Sequence, residues 1–333
     1  MPRVIIIGGG IAGCTTAISL AKYGHEIVIV EKSSDILRGT SSRTPGRMGL
    51  GYHYFDFDTA KTYMEHTINF MKKYHDCFLD EDRDLHLQYG RYFIVNDSIV
   101  PLQTIMSNYD KISLYFEEIC RKDATNNVFS TIHLHRAMDF KEFENDVVMS
   151  KIHYAIETKE KLLDWKKFEL RLRKEISQYP NIKIETNFDV NSVAIDENSN
   201  FLLSDNNQKE LADYIINCTW QNIETLNKKL GIGDAHFKKE DPKNSITSRL
   251  KLLAEVELPS EMRDKHSMFF CAGQHAMFSN IGNGIGRITY DPVTNFGVTS
   301  ENAMPELWKK WLDSGLSEEE KQYYGNKKRK RNF

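Results

Sequence analysis

The sequence predicts an α/β protein: a doubly wound sheet opening on a β-α-β unit and carrying an inserted, mainly antiparallel β domain. Three observations point there. Residues 4 to 31, VIIIGGGIAGCTTAISLAKYGHEIVIVE, set a G-x-G-x-x-G turn between an apolar strand and a helix. The same stretch closes on an acid at the end of a second apolar run. Farther on, strands of this unit are separated by material of another kind, the pattern of a discontinuous domain.

Taken in order, 3–7 reads as a strand, 11–23 as a helix and 26–30 as the second strand. Residues 33–57, rich in Ser, Thr, Gly and Arg, read as an extended loop. A helix follows over 59–74 with Asp58 as N-cap and Tyr63, Thr67, Met71 and Tyr74 on one face. Strands are expected in 85–100 and 128–140, with a helix near 102–120 between them. The next strand leads to a helix capped at Asp164, with Trp165, Phe168 and Leu172 as its buried stripe and Pro180 beyond its end. Short strands follow at 182–185, 189–195, 200–204 and 214–218, and 246–298 has further strand character. The end is helical, then charged. Residues 1–80 with 150–225 are expected to form one domain and 81–149 with 226–300 the other, with 301–333 a helical and basic tail.

Composition narrows the class. With 40% hydrophobic and 27% charged residues and a net charge of −3, nothing favours nucleic acid or a membrane surface as main partner. Five cysteines lie far apart without a C-x-x-C pair, so neither a disulfide framework nor a zinc site is expected. Glycines interrupt the N-terminal apolar run, which disfavours a signal peptide, and no apolar stretch reaches ~18 residues. A cytoplasmic protein acting on a small molecule is the expectation.

The glycine turn carries phosphate chemistry. Gly8 lets the chain turn after the first strand, Gly10 leaves room for a pyrophosphate against the backbone, and Gly13 permits close packing of helix on sheet. The helix beginning at Ile11 and Ala12 turns free N–H groups and a positive dipole end toward the phosphate. Glu31, 18 residues past Gly13, can accept hydrogen bonds from ribose hydroxyls. Beside it a 2′-phosphate would meet like charge, which disfavours NADP. The turn alone leaves FAD and NAD both open.

The following loop, EKSSDILRGTSSRTPGRMGLGYHYFD, resembles that of the FAD-dependent oxidoreductases of the D-amino-acid oxidase type, and GYHY at 51–54 after Arg47 is similar to a bacterial branch of them. NFDVNSV, DYIINCTWQN and HSMFFCAGQHAMFSNIGNGIGRITYDPVTN resemble later stretches of the same family. The resemblance implies a Rossmann-like FAD-binding domain with a β substrate domain, and hydride transfer from a C–N or C–O bond of a small polar metabolite to flavin N5. It places Lys32, Thr40, Ser41, Ser42, Arg43, Val190, Cys218, Thr219 and Trp220 along the cofactor. Two departures stand out. Gly49 occupies a position where this branch often has His. No closing strand, glycine turn and helix follows residue 300, so a chain shortened relative to its relatives is expected. A flavin-fold protein that binds without turnover and an NAD dehydrogenase are the alternatives.

For chemistry, Arg47 is the candidate for charge stabilisation or for binding a substrate anion, against a structural role bracing the loop. His53, between Tyr52 and Tyr54, is a candidate proton acceptor, against aromatic packing. Asp56 and Asp58 read as turn and cap residues. The glycine cluster in 279–290 reads as a strand-connecting turn, and Arg287 beyond it as a surface arginine or a carboxylate ligand. His133 and His135 alternate on one side of a strand without a third ligand, so no metal site is expected. The KKRKR run at 327–331 reads as a solvated tail.

Overall fold

Strand β1 (Arg3–Ile7) and strand β2 (Glu26–Glu31) form from near-continuous β-branched runs, and Ile5, Ile6, Ile27, Val28 and Ile29 are fully buried. Such runs belong to parallel strands covered on both faces. Helix α1 (Ile11–Ala21) joins them and packs Cys14, Ala17 and Ile18 inward. The computed structural model describes residues 1–44, 46–79, 87, 89–229, 248–273, 276–290, 294–299, 306–320 and 322. Two units divide the chain: Met1–Thr44, Glu169–Lys251 and Phe296–Phe333, and Pro45–Phe168 with Leu252–Asn295.

In the first unit, β6 (Ile182–Thr186) and β10 (Tyr214–Asn217) flank β1 and β2 in the order β10-β1-β2-β6, with every pair parallel. This is the doubly wound start expected from the sequence. An antiparallel sheet of β7 (Ser192–Ile195), β8 (Phe201–Ser204) and β9 (Lys209–Ala212) belongs to the same unit. Phe188, Leu203, Ala212 and Leu226 share a core with Ile5, Ile7, Val28 and Val30. Each of these side chains except the Ala212 methyl contributes roughly 1.5–3 kcal/mol on burial.

Strand β11 (Ser248–Lys251) closes the middle segment of the first unit. The second unit is built on seven strands: β3 (Gly90–Val95), β4 (His135–Ala137), β5 (Ile152–Thr158), β12 (Ala254–Glu257), β13 (Ser267–Cys271), β14 (Ala276–Gly282) and β15 (Ile285–Tyr290). Their order is β12-β15-β14-β13-β3-β5-β4. Only β13 and β3 run parallel, so the sheet is mainly antiparallel as expected. Helices α2 (Phe57–Lys73) and α3 (Leu102–Lys122) share a core with it, through Met64, Ile68, Ile105, Tyr109, Ile112 and Phe116. Helix α4 (Trp165–Ser177) spans the 168/169 boundary between the units, and its Phe168 and Leu172 are fully buried.

Three local expectations are corrected. The cap of α2 is Asp56, whose Oδ2 accepts from the Thr59 N–H at 2.8 Å; Asp58 lies in the first turn, where it complements the helix dipole. Tyr63 is exposed while Thr67, Met71 and Tyr74 are buried, because the stripe runs through Ala60 and Met64 instead. Of 128–140 only 135–137 is strand. Asn127 Oδ1 accepts from the Thr131 N–H and Thr131 Oγ1 from the His133 N–H, so side chains satisfy backbone that a ladder would otherwise use. The glycine cluster does form a turn: Asn283 and Gly284, at φ 56° and 73°, make the two-residue link from β14 to β15. The basic run at 327–331 lies outside the described residues.

An ion network ties residues 136–146 to the sheet. Arg91 Nη1 meets Asp146 Oδ2 at 2.9 Å, Lys265 Nζ meets Asp146 Oδ1 at 2.5 Å, and Arg136 holds Glu142 bidentately while reaching Glu157. The Arg136 bonds, then the Asp139 N–H, lower the Glu142 carboxyl from the ordinary 4.5 to about 2. A depressed carboxyl stabilises the fold above its unfolded value, and the contribution fades as pH falls from 4.5 through about 2. Arg136→Ala is therefore expected to lower the urea midpoint at neutral pH and to flatten its decline across that window. Denaturation series at several pH values measure both.

Candidate functional site

The glycine turn sits between β1 and α1, and its three glycines face different neighbours. Gly8 has φ 106°, and a β-carbon there would lie 2.7 Å from the Cys218 carbonyl oxygen. One on Gly13 would collide with the Gly8 carbonyl oxygen. Gly10 differs: among the described residues its β-carbon would meet only the Ser41 hydroxyl, at 3.2 Å. Protein packing thus demands two of the glycines and leaves the third with an open side, next to the N-terminus of α1. That is the cradle a pyrophosphate needs.

Glu31 closes this turn. Its Oε2 accepts from the Gly9 N–H at 2.7 Å and its Oε1 from the Ser33 N–H at 2.9 Å. A carboxylate has about four acceptor positions, so two remain for hydroxyl donors. Ser41 Oγ accepts from the Ile11 N–H at 3.1 Å, which brings the 40–43 segment onto the helix start. Leu37 N–H donates to the Gly9 carbonyl. Arg173 fixes the intervening loop with a bidentate grip on Asp35, at 3.0 and 2.8 Å, and a bond to the Ile36 carbonyl. That pair is 138 residues apart in sequence and gives no local signal.

Of the remaining candidates in this unit, Cys218 donates its N–H to the Ile7 carbonyl, and Thr219 bonds Asn217 Oδ1 through N–H and hydroxyl. Trp220 follows at φ 52° with most of its surface exposed. Val190 packs partly buried against the unit's core. Thr40 and Arg43 are exposed, as is Lys32, while Ser42 is half-buried.

The second unit places Arg47 in a buried charge cluster. Residues 46–48 run antiparallel to 161–163: Leu163 N–H donates to the Gly46 carbonyl, Met48 N–H to the Lys161 carbonyl, and Arg47 bridges Leu162. This places Glu160 beside the loop, fully buried. Glu160 Oε1 accepts from the Leu50 N–H at 2.7 Å, Oε2 accepts from the Tyr92 hydroxyl at 2.8 Å, and its carbonyl accepts from Arg47 Nη1 at 3.1 Å. The guanidinium lies 5.5 Å from the Phe269 ring centroid, and its Nε and Nη2 are buried without a hydrogen-bond partner among the described residues. Burial pushes the Glu160 carboxyl up, opposed by Arg47, and pushes the Tyr92 phenol well up. Arg47 itself stays charged, since a guanidinium does not deprotonate in proteins.

The GYHY stretch divides. Tyr52 is fully buried, and its hydroxyl lies 3.0 Å from His135 Nδ1, which also meets Ser113 Oγ at 3.2 Å. Burial pushes the His135 imidazole down. His53 is exposed, its ring edge-on to Tyr54 at 5.6 Å. Arg287 pairs with Glu255 across β15 and β12 at 3.0 Å. Sequence reading passed over Glu160, one charge within the mixed run ETKEK at 157–161, and Tyr92, an aromatic residue in the strand GRYFIV.

Comparison with known proteins agrees with this fold. A family model described as FAD dependent oxidoreductase matches residues 3–230. Violacein synthase of Chromobacterium violaceum is 60% identical over 42 residues, 13% of this chain and 10% of that protein. A D-amino acid dehydrogenase of Phenylobacterium zucineum is 40% identical over 50 residues, 15% of this chain and 12% of that protein. The matches thus span only about a tenth of these relatives' length. Among solved structures, L-proline dehydrogenase from P. horikoshii aligns at a TM-score of 0.63 and 17% identity, covering 98% of this chain and 76% of that one. Glycine oxidase from Geobacillus kaustophilus aligns at 0.59 and 12%, covering 90% and 72%. L-alpha-glycerophosphate oxidase from Mycoplasma pneumoniae, with FAD bound, aligns at 0.57 and 16%, covering 96% and 81%. At these identities the structural likeness establishes the fold.

Proposed function

The chain belongs to the FAD-dependent oxidoreductases, and from that premise we propose that it oxidises a C–N or C–O bond of a small polar metabolite bearing an anionic group. FAD, when bound, supplies the two-electron acceptor for a hydride at its N5. The open side of Gly10 and the Ala12 N–H would hold its pyrophosphate, beside the Ser41 hydroxyl that takes the Ile11 N–H, with Gly8 and Gly13 shaping the turn. Glu31 has acceptor capacity left for ribose hydroxyls. Lys32, the 40–43 segment, Val190 and Cys218 to Trp220 are the proposed remaining contacts.

Arg47 carries the substrate reading. A buried guanidinium with two adjacent donors unpaired suits a carboxylate, which accepts two parallel hydrogen bonds. Its role is to bind and orient the substrate's anionic group. His53, exposed on the same loop, is the proposed acceptor for the amine or hydroxyl proton released as the hydride leaves. The D-amino acid dehydrogenase among the relatives supports a C–N bond as the first to test.

The test is anaerobic mixing of the FAD-loaded protein with amino acids, hydroxy acids and the matching uncharged amines and alcohols. The expected result is bleaching of the oxidised-flavin band by an acid substrate but not by its uncharged analogue, with a raised KM in Arg47→Met. Equal bleaching by the uncharged analogue removes the anion from the reading. A colourless protein that binds NADH overturns it altogether.

A further inference from the structure

Arg47 offers an edge that its nearest acid does not use. Of its nitrogens only Nη1 is engaged, with the Glu160 carbonyl oxygen at 3.1 Å, while Nε and Nη2 are buried and unpartnered. These two lie on one side of the guanidinium, spaced for the two oxygens of a carboxylate. Glu160 is fully buried in the same cluster, and its charge acts on Arg47. Among the described residues, however, no ion pair joins Arg47 to any carboxylate.

The reason lies in what holds Glu160. Its Oε1 takes the Leu50 N–H at 2.7 Å and its Oε2 takes the Tyr92 hydroxyl at 2.8 Å, so both oxygens are committed. Tyr92 is itself fixed, 3% exposed and stacked on Phe269 at 5.0 Å between centroids. Gly90 marks the gap: a β-carbon there would lie 3.2 Å from Arg47 Nη1 and 3.3 Å from Glu160 Oε2. Glu160 thus compensates the Arg47 charge at short range without consuming its donors.

We propose that Tyr92 is a positioning residue, a latch that holds the Glu160 carboxylate off Arg47 and so leaves the Nε–Nη2 edge unpaired, for a planar oxyanion to engage. This rests on the reading of Arg47 as the anion-binding group. Without the Tyr92 hydroxyl, Oε2 has no donor on that side, and the carboxylate turns onto the guanidinium as an internal competitor. The latch also explains a tyrosine in this place, since phenylalanine would pack on Phe269 equally well but could not hold the acid.

Acetate serves as the probe, with binding to FAD-loaded protein read by calorimetry and folding by thermal melting. Tyr92→Phe is expected to bind acetate at least about tenfold more weakly than wild type, the size of effect a 1.4 kcal/mol competitor produces. Glu160→Gln should bind within about threefold of wild type. The double variant Y92F/E160Q should regain the affinity of E160Q, because the competitor is gone. A purely structural Tyr92 gives the opposite result: the double variant stays as weak as Y92F, or weaker, and that overturns the proposal. Wild-type affinity in Y92F also overturns it. Should Y92F fail to fold, E160Q alone decides: affinity kept supports the latch, and a tenfold loss contradicts it. Arg47→Met separates the two layers. If it binds acetate as wild type does, the anion reading falls; if it loses acetate while Y92F does not, only the latch falls.

Discussion

Gly13→Ala is expected to lose much of its stability, while Gly10→Ala folds normally and holds its flavin at least about tenfold more weakly. The two positions lie three residues apart in one motif, yet the structure treats them differently. A methyl on Gly13 runs into the Gly8 carbonyl oxygen, which is backbone and cannot step aside. Gly8 cannot retreat either, because it backs onto the carbonyl of Cys218 at the end of β10. Relief requires α1 to lift from β1 and β2, where Cys14, Ala17 and Ile18 are buried. A loss beyond about 4–5 kcal/mol follows, against a total stability of about 5–15 kcal/mol. At Gly10 the backbone has φ −76° and ψ −174°, which alanine adopts without strain, and the one neighbour is a rotatable hydroxyl. The methyl then occupies only the space a pyrophosphate needs, and FAD affinity is expected to fall at least about tenfold, or about 1.4 kcal/mol. Far-UV circular dichroism separates folded from unfolded variants, and flavin retained after desalting reads the binding. A yellow, fully loaded Gly10→Ala protein would place the pyrophosphate elsewhere.

Asn280→Leu is expected to destabilise the second unit by about 3–5 kcal/mol, the other large effect. Asn280 is fully buried where the β14–β15 register shifts, and its side chain satisfies three backbone groups. Nδ2 donates to the carbonyls of Arg263 and Lys265 at 2.7 and 2.9 Å, and Oδ1 accepts from the Gly282 N–H at 3.0 Å. Leucine fills a similar volume, so the loss is not a cavity. It is three buried backbone groups left without partners, each costing roughly 1–3 kcal/mol before local relaxation. The Ser267 hydroxyl still accepts from the backbone N–H of residue 280, so the strand pairing itself survives. The melting midpoint should fall by roughly 10 °C, at about 2–4 °C per kcal/mol for a unit of this size. A shift of only a degree or two would mean that the bulge satisfies itself without the amide.

The parts of this protein that could be read from sequence are those whose cause is local. The glycine turn, the helix behind it and the acid closing the second strand follow from backbone sterics and helix-end electrostatics over about thirty residues. The parallel start was legible for the same reason, since near-continuous β-branched runs mark strands covered on both faces. Even so, Asp56 and Asp58 are two near-equal caps by composition, and only the path of the preceding loop chose between them. Within GYHY, sequence singled out His53, whereas the chain turned Tyr52 inward toward His135, 83 residues away.

Sequence by itself determined that this chain begins as a dinucleotide-binding fold and that FAD is its cofactor through the family it belongs to. Tertiary structure alone decided that the Arg47 Nε and Nη2 donors stay unpaired among the described residues. It also decided that Glu160 and Tyr92 stand behind that arginine. The physical reason is separation: Leu50 and Glu160 are 110 residues apart, Tyr92 and Glu160 are 68, and a buried charge is defined by what surrounds it. A glutamate after a strand reads as a surface residue until the loop at 46–48 pairs with 161–163 and closes over it.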